Sequence, residues 1–301
     1  MNYYNEIKNK LIDNEVYKKV KDYSKNRNDL STYYEVGKLL IKAQGGEERA
    51  KYGDNLIKEY SERLFNDTGR KYNITALKRI RQFYLVVEKG VPLAHQLTWS
   101  HYCELLPLKD INEINYYIKI TIEQCLSKRQ LRERIRNKEY QRLDDKTKLK
   151  LINKEEIDIK DNIKNPIIIK NKLDIDKEIV SEKILQRLIL EDIPSFLEEL
   201  GTGYSFIKNE YKIKLGERYN YIDLLLFNIE YNCYVVVELK VTELKKEHIG
   251  QIEVYMNYID KHIKTINQDK TIGIIITKRD NHYYIEYSSD KRILTREYIL
   301  N

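Results

Sequence analysis

Cysteine is scarce in this chain of 301 residues. The three present, Cys103, Cys125 and Cys233, show no metal-ligand spacing and are too scattered for a disulfide framework. That excludes a disulfide-stapled secreted scaffold and a structural zinc site, and it fits a reducing compartment. The three are read as small buried apolar side chains. Long apolar runs are missing as well: no segment approaches the roughly 20 residues that a membrane span needs, and Met1-Asn-Tyr-Tyr-Asn5 lacks the apolar stretch of a signal peptide. The expectation is a cytoplasmic protein with no membrane partner. No internal repeat is evident.

What is abundant is less specific than it looks. A net charge of +7 favours an anionic partner. Lys, Ile, Asn and Tyr are enriched along the whole chain, however, a bias that an AT-rich genome alone produces. At 42% hydrophobic and 34% charged residues the chain can build two modest cores. Clustering is more telling than totals. Lys128 to Arg142 holds seven basic residues against Glu133 and Glu139, in a helix that Ser127-Lys-Arg-Gln130 opens with capping-box spacing. Arg129, Arg132 and Arg136 share one face of it, opposite Leu131 and Ile135, where they either meet phosphates or are simply solvated.

Residues 5 to 142 read as helical throughout. Leu56 to Phe65, then Asn66-Asp-Thr-Gly69, then Ile74 to Val87 reads as helix, turn, helix. Leu77, Ile80 and Tyr84 form the buried stripe of the second helix and leave Lys78 and Arg81 outside, facing a DNA groove or water. Trp99, His101 and Tyr102 have no nucleophile or paired acid beside them and read as core. From Asp144 to about Lys177, charge alternates with isoleucine, with no glycine and only Pro166. This reads as a charged linker, with Pro166-Ile-Ile-Ile169 docking locally on one domain.

Two apolar strands carry charge where a core belongs. In Tyr234-Val-Val-Val-Glu-Leu-Lys-Val241, Glu238 and Lys240 share one face while Val235, Val237, Leu239 and Val241 line the other. Asn228-Ile-Glu-Tyr-Asn232 is rich enough in turn formers to join this strand to Tyr221-Ile-Asp-Leu-Leu-Leu-Phe227 as a hairpin. With the turn centred between Glu230 and Tyr231, Asp223 lies directly across from Glu238. Two carboxylates about 5 Å apart repel by roughly 3 kcal/mol at an effective dielectric near 20. A cation reverses that sign: two hard carboxylates with room for waters suit Mg²⁺, and a nearby lysine can hold or deprotonate a water. The plain alternative, a solvated face with a weak Glu–Lys pair, sits badly with apolar runs that suggest strands buried on both faces.

An Asp followed by Glu-x-Lys on the next strand resembles the PD-(D/E)xK nuclease superfamily. Phe196-Leu-Glu-Glu-Leu-Gly-Thr-Gly-Tyr204, Tyr221-Ile-Asp-Leu-Leu225, Val237-Glu-Leu-Lys240 and His248-Ile-Gly-Gln-Ile252 resemble the C-terminal half of the YhcG-type two-domain bacterial nucleases. Tyr34-Glu-Val-Gly37, Tyr52-Gly53, Arg79-Ile-Arg-Gln-Phe-Tyr84, Leu97-Thr-Trp-Ser-His-Tyr102 and Ser127-Lys-Arg-Gln-Leu131 resemble that family's helical N-terminal domain of unknown function. The resemblance implies an all-α domain over 1–143, a linker over 144–177 and, over 178–301, an α/β restriction-endonuclease-like domain with a mixed sheet. That core runs helix, three-stranded meander, helix and further strand. The strand Thr271 to Thr277 is expected in it, with Tyr283 to Tyr287 as a partner.

By the same resemblance Asp223 and Glu238 bind Mg²⁺, with Mn²⁺ as a substitute, and Lys240 orients or activates the attacking water. Gln251, one helical turn before Tyr255, joins the site, and Glu191 supplies an upstream acid, with Glu198 and Glu199 as rivals. Two positions depart from the pattern: Ile222 stands where the superfamily has Pro, and Asn209-Glu210 where Arg-Gln is expected. The implied activity is a DNA endonuclease acting in restriction, defence or branched-DNA processing, with a second copy or a restriction-system protein as a further partner. The rival readings are a non-catalytic DNA-binding adaptor and an RNA-directed nuclease.

Overall fold

The computed structural model describes residues 3–19, 25–46, 54–69, 72–176, 178–279, 284 and 290–301. The chain divides into two compact units, residues 1–140 and 141–301.

The first unit is helical: α1 (Tyr3–Lys19), α2 (Lys25–Ala43), α3 (Asp54–Thr68), α4 (Ile74–Glu88), α5 (Trp99–Leu105), α6 (Ile111–Glu123) and α7 (Lys128–Arg136). The expected turn at 66–69 starts later than the sequence suggests, since α3 runs through Thr68 and ends at Gly69, whose φ of +67° suits a residue without a Cβ. Asn73 then caps α4, its side chain accepting the Ala76 N–H at 2.8 Å.

The buried stripe of α4 is Leu77, Ile80 and Phe83. Its flank packs on α2 so closely that a Cβ on Gly37 would come within 2.6 Å of Ile80 O and Tyr84 Cβ. That approach corrects the expectation for Lys78 and Arg81. Both are half-buried, and Arg81 Nη1 donates to Gln44 Oε1 at 3.2 Å. The exposed cation of this turn is Arg79. His101 and Tyr102 are buried, as expected, and Trp99 is half-buried, its ring 4.7 Å from that of Tyr33 and 5.4 Å from that of Phe83. Tyr52-Gly53 lies outside the described residues. The cysteines do not all fit their reading, because Cys125, left-handed just past the end of α6, is exposed, while Cys103 is half-buried and Cys233 buried.

The second unit contains α8 (Asp145–Asn153), β1 (Ile167–Ile169), α9 (Glu182–Glu191), α10 (Ile193–Leu200), β2 (Tyr204–Leu215), β3 (Arg218–Asn228), β4 (Cys233–Glu243), α11 (Lys246–His262), β5 (Asp269–Arg279) and β6 (Ile293–Leu300). The six strands form one mixed sheet in the order β1-β6-β5-β4-β3-β2. The meander β2-β3-β4 is antiparallel, and β4, β5, β6 and β1 run parallel. This is the restriction-endonuclease-like α/β architecture expected.

The stretch 144–177 is not a linker. Several of its isoleucines are core side chains: Ile159, Ile163, Ile167 and Ile169 are buried against α9, α10 and the sheet, and β1 pairs with β6. Charge at every other position hid an apolar series that burial rewards. The proposed strand at Tyr283–Tyr287 lies, Tyr284 apart, outside the described residues. The observed second neighbour of β5 is β6, which periodicity alone did not single out.

Each sheet face has its own core. Val235, Val237 and Leu239 join Leu224 and Leu226 under α9 and α10, while Val236, Leu225 and Ile275 lie under Ile252, Met256 and Ile259 of α11. Helix α11 approaches so closely that a Cβ on Gly273 would sit 2.5 Å from Met256 Sδ. Ile213 and Ile222 also join the α11 core, although Leu224 joins the other. The β2-β3 ribbon therefore turns over at the step between them. Glu210, at that step, has a φ of +46°.

Candidate active site

The β3-β4 hairpin sets the geometry. Its pairs run from Asn228↔Cys233 to Leu224↔Val237, which centres the loop between Glu230 and Tyr231. The turn is held by Asn228, whose Oδ1 accepts the N–H groups of Glu230 and Tyr231 at 3.0 and 3.1 Å, and by the left-handed Asn232. One step beyond the last pair stand Asp223 and Glu238. There the ladder gives way to side chains: Asp223 Oδ2 accepts the Leu239 N–H at 2.8 Å, and Gln186 Nε2 of α9 donates to the Asp223 carbonyl at 3.0 Å. The backbone groups freed by the splayed strands are thus satisfied.

Glu238 is 2% exposed. Its Oε1 accepts from Lys240 Nζ at 2.9 Å and from Gln251 Nε2 at 2.8 Å, and Gln251 in turn lies 3.0 Å from the Tyr255 hydroxyl. Its Oε2 is buried and has no hydrogen-bond partner. Burial and the neighbouring Asp223 push the Glu238 carboxyl up to about 7, against an ordinary 4.5. Burial also raises Asp223, though the Leu239 N–H and Lys240 pull the other way. Burial works against the Lys240 ammonium, but Glu238 outweighs it and the net shift is upward. His248, buried at the start of α11, is lowered by burial and by Lys240.

Asp223, Glu238, Lys240 and Gln251 are therefore brought together by three elements. Glu191 is not. It is exposed at the C-terminal end of α9, and Glu182, which lies 3.7 Å from Lys240 Nζ, begins the same helix. Nine residues of helix separate the two acids by about 14 Å. Glu198 is exposed, and Glu199 is buried but committed to Arg142 and the Ile168 N–H. The acid of α9 that reaches this cluster is Glu182. A signal for it exists: Glu182 and Gln186 stand four apart beside the apolar stripe Leu185, Leu188 and Ile189, and one reaches Lys240 while the other reaches Asp223.

Among the described residues, no group of three or more His, Cys, Asp and Glu side chains is gathered as a cation cage. A cation here would rest on Asp223 and Glu238 and complete its shell with water. The partnerless Glu238 Oε2 and the upward shift of both carboxyls fit such a hard divalent ion, which prefers few protein oxygens and retained waters.

The basic residues expected to touch nucleic acid lie in the other unit. Arg129, Arg132 and Arg136 are exposed on α7, with Leu131 buried behind them and the Ser127 capping box formed. Arg132 is held bidentately by Glu104, at 2.9 and 2.8 Å, and Lys128 lies 3.4 Å from the same carboxylate.

Residues 160–300 match the YhcG PDDEXK nuclease domain and residues 9–142 the DUF1016 N-terminal domain. A protein of Escherichia coli (strain K12) named "Putative nuclease YhcG" is 26% identical, over 82% of this chain and 76% of its own length. Among solved structures, a repair endonuclease from Pyrococcus abyssi aligns at 18% identity with a TM-score of 0.29, over 39% of this chain and 46% of that one. The structure of an EndoMS-dsDNA2 complex aligns at 18% identity and a TM-score of 0.29, over 40% of this chain and 44% of its own. Among the described residues no helix is long and apolar enough to cross a membrane.

Proposed function

The chain belongs to the two-domain family that joins a DUF1016 N-terminal domain to a YhcG PDDEXK nuclease domain, and we propose that it is a Mg²⁺-dependent DNA endonuclease of restriction, defence or branched-DNA processing. The observation that carries this reading is the buried Glu238 Oε2 without a partner, beside Asp223 and Lys240. A buried carboxylate oxygen left unpaired costs on the order of 1–3 kcal/mol or more, and a bound cation removes that cost. Asp223 and Glu238 would hold the ion. When bound, it polarises the phosphate and lowers the pKa of a coordinated water.

The chain's own side chains supply the rest. Lys240 is tethered to Glu238, so its ammonium stands where negative charge develops on the phosphate during attack. Gln251, positioned by Tyr255, fixes the Glu238 carboxylate, and Glu182 steers Lys240 from the other side. The Leu239 N–H fixes one oxygen of Asp223. The N-terminal unit selects the substrate, with Arg129 and Arg136 as its phosphate contacts.

The test is cleavage of linear, nicked, branched and single-stranded DNA, and of RNA, with EDTA, Mg²⁺ or Mn²⁺. Divalent-dependent cutting of DNA that Asp223→Asn or Glu238→Gln reduces by about a thousandfold or more supports the reading, since several kcal/mol of transition-state stabilisation are removed. Full activity in either variant refutes the site, and cutting confined to RNA refutes the substrate.

A further inference from the structure

The outer half of the β2-β3 ribbon presents a face that the site chemistry does not use. Past Glu210 and Asp223 the strands pair Lys212↔Tyr221 and Lys214↔Tyr219. On this part of the ribbon Tyr211, Ile213 and Leu215 turn toward the α11 core, so the alternate positions face outward. Lys212 and Lys214 are exposed, and Tyr219 and Tyr221 are 56% and 52% exposed. Lys212 Nζ lies 3.7 Å from the centre of the Tyr219 ring. A row of two lysines on β2 thus lies beside a row of two tyrosines on β3, with no carboxylate among the four.

Part of this has an ordinary explanation. β2 is an edge strand, and lysines on an edge discourage pairing with another sheet. That accounts for Lys212 and Lys214 but not for the tyrosines, which lie on β3 and add apolar surface beside the edge. An exposed cation–π contact is worth only about 0.5–1 kcal/mol, and one ring suffices for it. Tyr219 and Tyr221 are two strand residues apart, about 7 Å along the β3 backbone, a spacing that allows a separate base on each. The same strand reaches Asp223 two residues after Tyr221.

We propose that this face is a stacking platform for unpaired nucleotides, with Tyr219 and Tyr221 taking bases and Lys212 and Lys214 the phosphates between them. A track of positive charge beside aromatic rings suits single strands, because a base offers its π-face only when unpaired. The inference rests on the nuclease reading and sharpens it: the preferred substrate carries a single-stranded segment next to the cut, as at a branch, flap or gap. Duplex DNA, whose bases are stacked within the helix, gains only the two lysines.

The test is binding of the full chain, in EDTA so that nothing is cut, to a fluorescein-labelled oligothymidylate and to a duplex of equal length across a salt series. Tyr219→Ala with Tyr221→Ala should weaken oligothymidylate binding about tenfold per ring and leave duplex binding nearly unchanged. The double Phe variant keeps both rings and should bind like the parent. Lys212→Gln with Lys214→Gln should lower the salt slope for the single strand by about 1.4. Unchanged affinity of the double Ala variant, an equal loss on the duplex, or a loss in the Phe variant as large as in the Ala variant overturns the platform. A chain that binds through these rings but cuts nothing refutes the nuclease reading and keeps the platform. A chain that cuts but is indifferent to all four residues does the reverse.

Discussion

Glu199 and Glu238 are both buried in the second unit, each against a cation, yet their oxygens are treated in opposite ways. At Glu199 every oxygen is used. Oε2 accepts from Arg142 Nη1 and from the Ile168 N–H at 2.9 Å, Oε1 accepts from Arg142 Nη2 at 3.0 Å, and Arg142 also donates to Pro166 O at 2.8 Å. The pair fastens the segment before β1 to α10. At Glu238, Oε1 takes two donors and Oε2 none. A saturated buried carboxylate is a fastener. One left half-saturated has an oxygen to spare for a ligand, and the proposed function gives it one.

The largest expected separation between the two is in cleavage. Glu238→Gln should abolish it by a thousandfold or more in a Mg²⁺ assay, whereas Glu199→Gln, in whatever fraction stays folded, should retain the parent's turnover. Stability should divide them the other way. Arg142→Met leaves Glu199 charged with only the Ile168 N–H to meet it, and should cost about 3–5 kcal/mol in urea unfolding. Glu238→Gln should be no less stable than the parent in EDTA, because it relieves repulsion with Asp223. A destabilised Glu238→Gln would mean that Glu238 is a fastener too.

Proton linkage sharpens the contrast. The folded state holds the Glu238 proton up to about pH 7, the unfolded chain only to its ordinary 4.5. Between those values the native state binds more protons, so stability in EDTA should fall as pH rises from 4.5 to 7, by up to about 3 kcal/mol, and level off above. Chemical denaturation at pH 5, 6, 7 and 8 measures this, and Glu238→Gln should flatten the profile. A parent profile already flat over that range would remove the elevated carboxyl from the account.

The cations differ as well. Where Arg142 sustains the fold, Lys240→Ala should lower turnover about a hundredfold and leave DNA affinity in Ca²⁺ within a few-fold of the parent. An equal fall in both would make Lys240 a phosphate anchor. The smallest effect is expected on α7. Since Arg132 is neutralised by Glu104, its Ala substitution should hardly change the salt slope of duplex binding, whereas Arg129→Ala with Arg136→Ala should reduce it by about two.

The hairpin could be read closely from the chain. Period-two alternation puts Glu238 and Lys240 on one face; the turn formers at 228–232 predict a hairpin without fixing its centre, and Asp223 lies opposite Glu238 only for a centre between Glu230 and Tyr231. These are local rules, and the apolar stripe of α11 likewise put Gln251 at its edge. The upstream acid could not be read the same way. Its identity depends on which end of α9 meets the open end of β4, a tertiary fact, and Pro194, in the first turn of α10, breaks the phase that would carry the reading backward. The segment 144–177 misled for another reason: charge density was weighed above the spacing of Ile157, Ile159, Ile163 and the run 167–169. The inward turn of Arg81 depends on the close approach of α2 at Gly37 and on Gln44 beyond its end, and no periodicity within α4 contains it.

Asp223 has one oxygen engaged by the main chain of its neighbour, and that bears on how an inactive form of this protein should be made. Asparagine keeps an acceptor for the Leu239 N–H and removes only the charge. Alanine removes the acceptor as well, leaving the backbone amide next to Glu238 exposed to water or unpaired, so that the hairpin can loosen where the acids meet. A dead Asp223→Ala protein would therefore conflate lost chemistry with a slackened sheet. The asparagine variant separates them and is the better bait for capturing an uncut substrate.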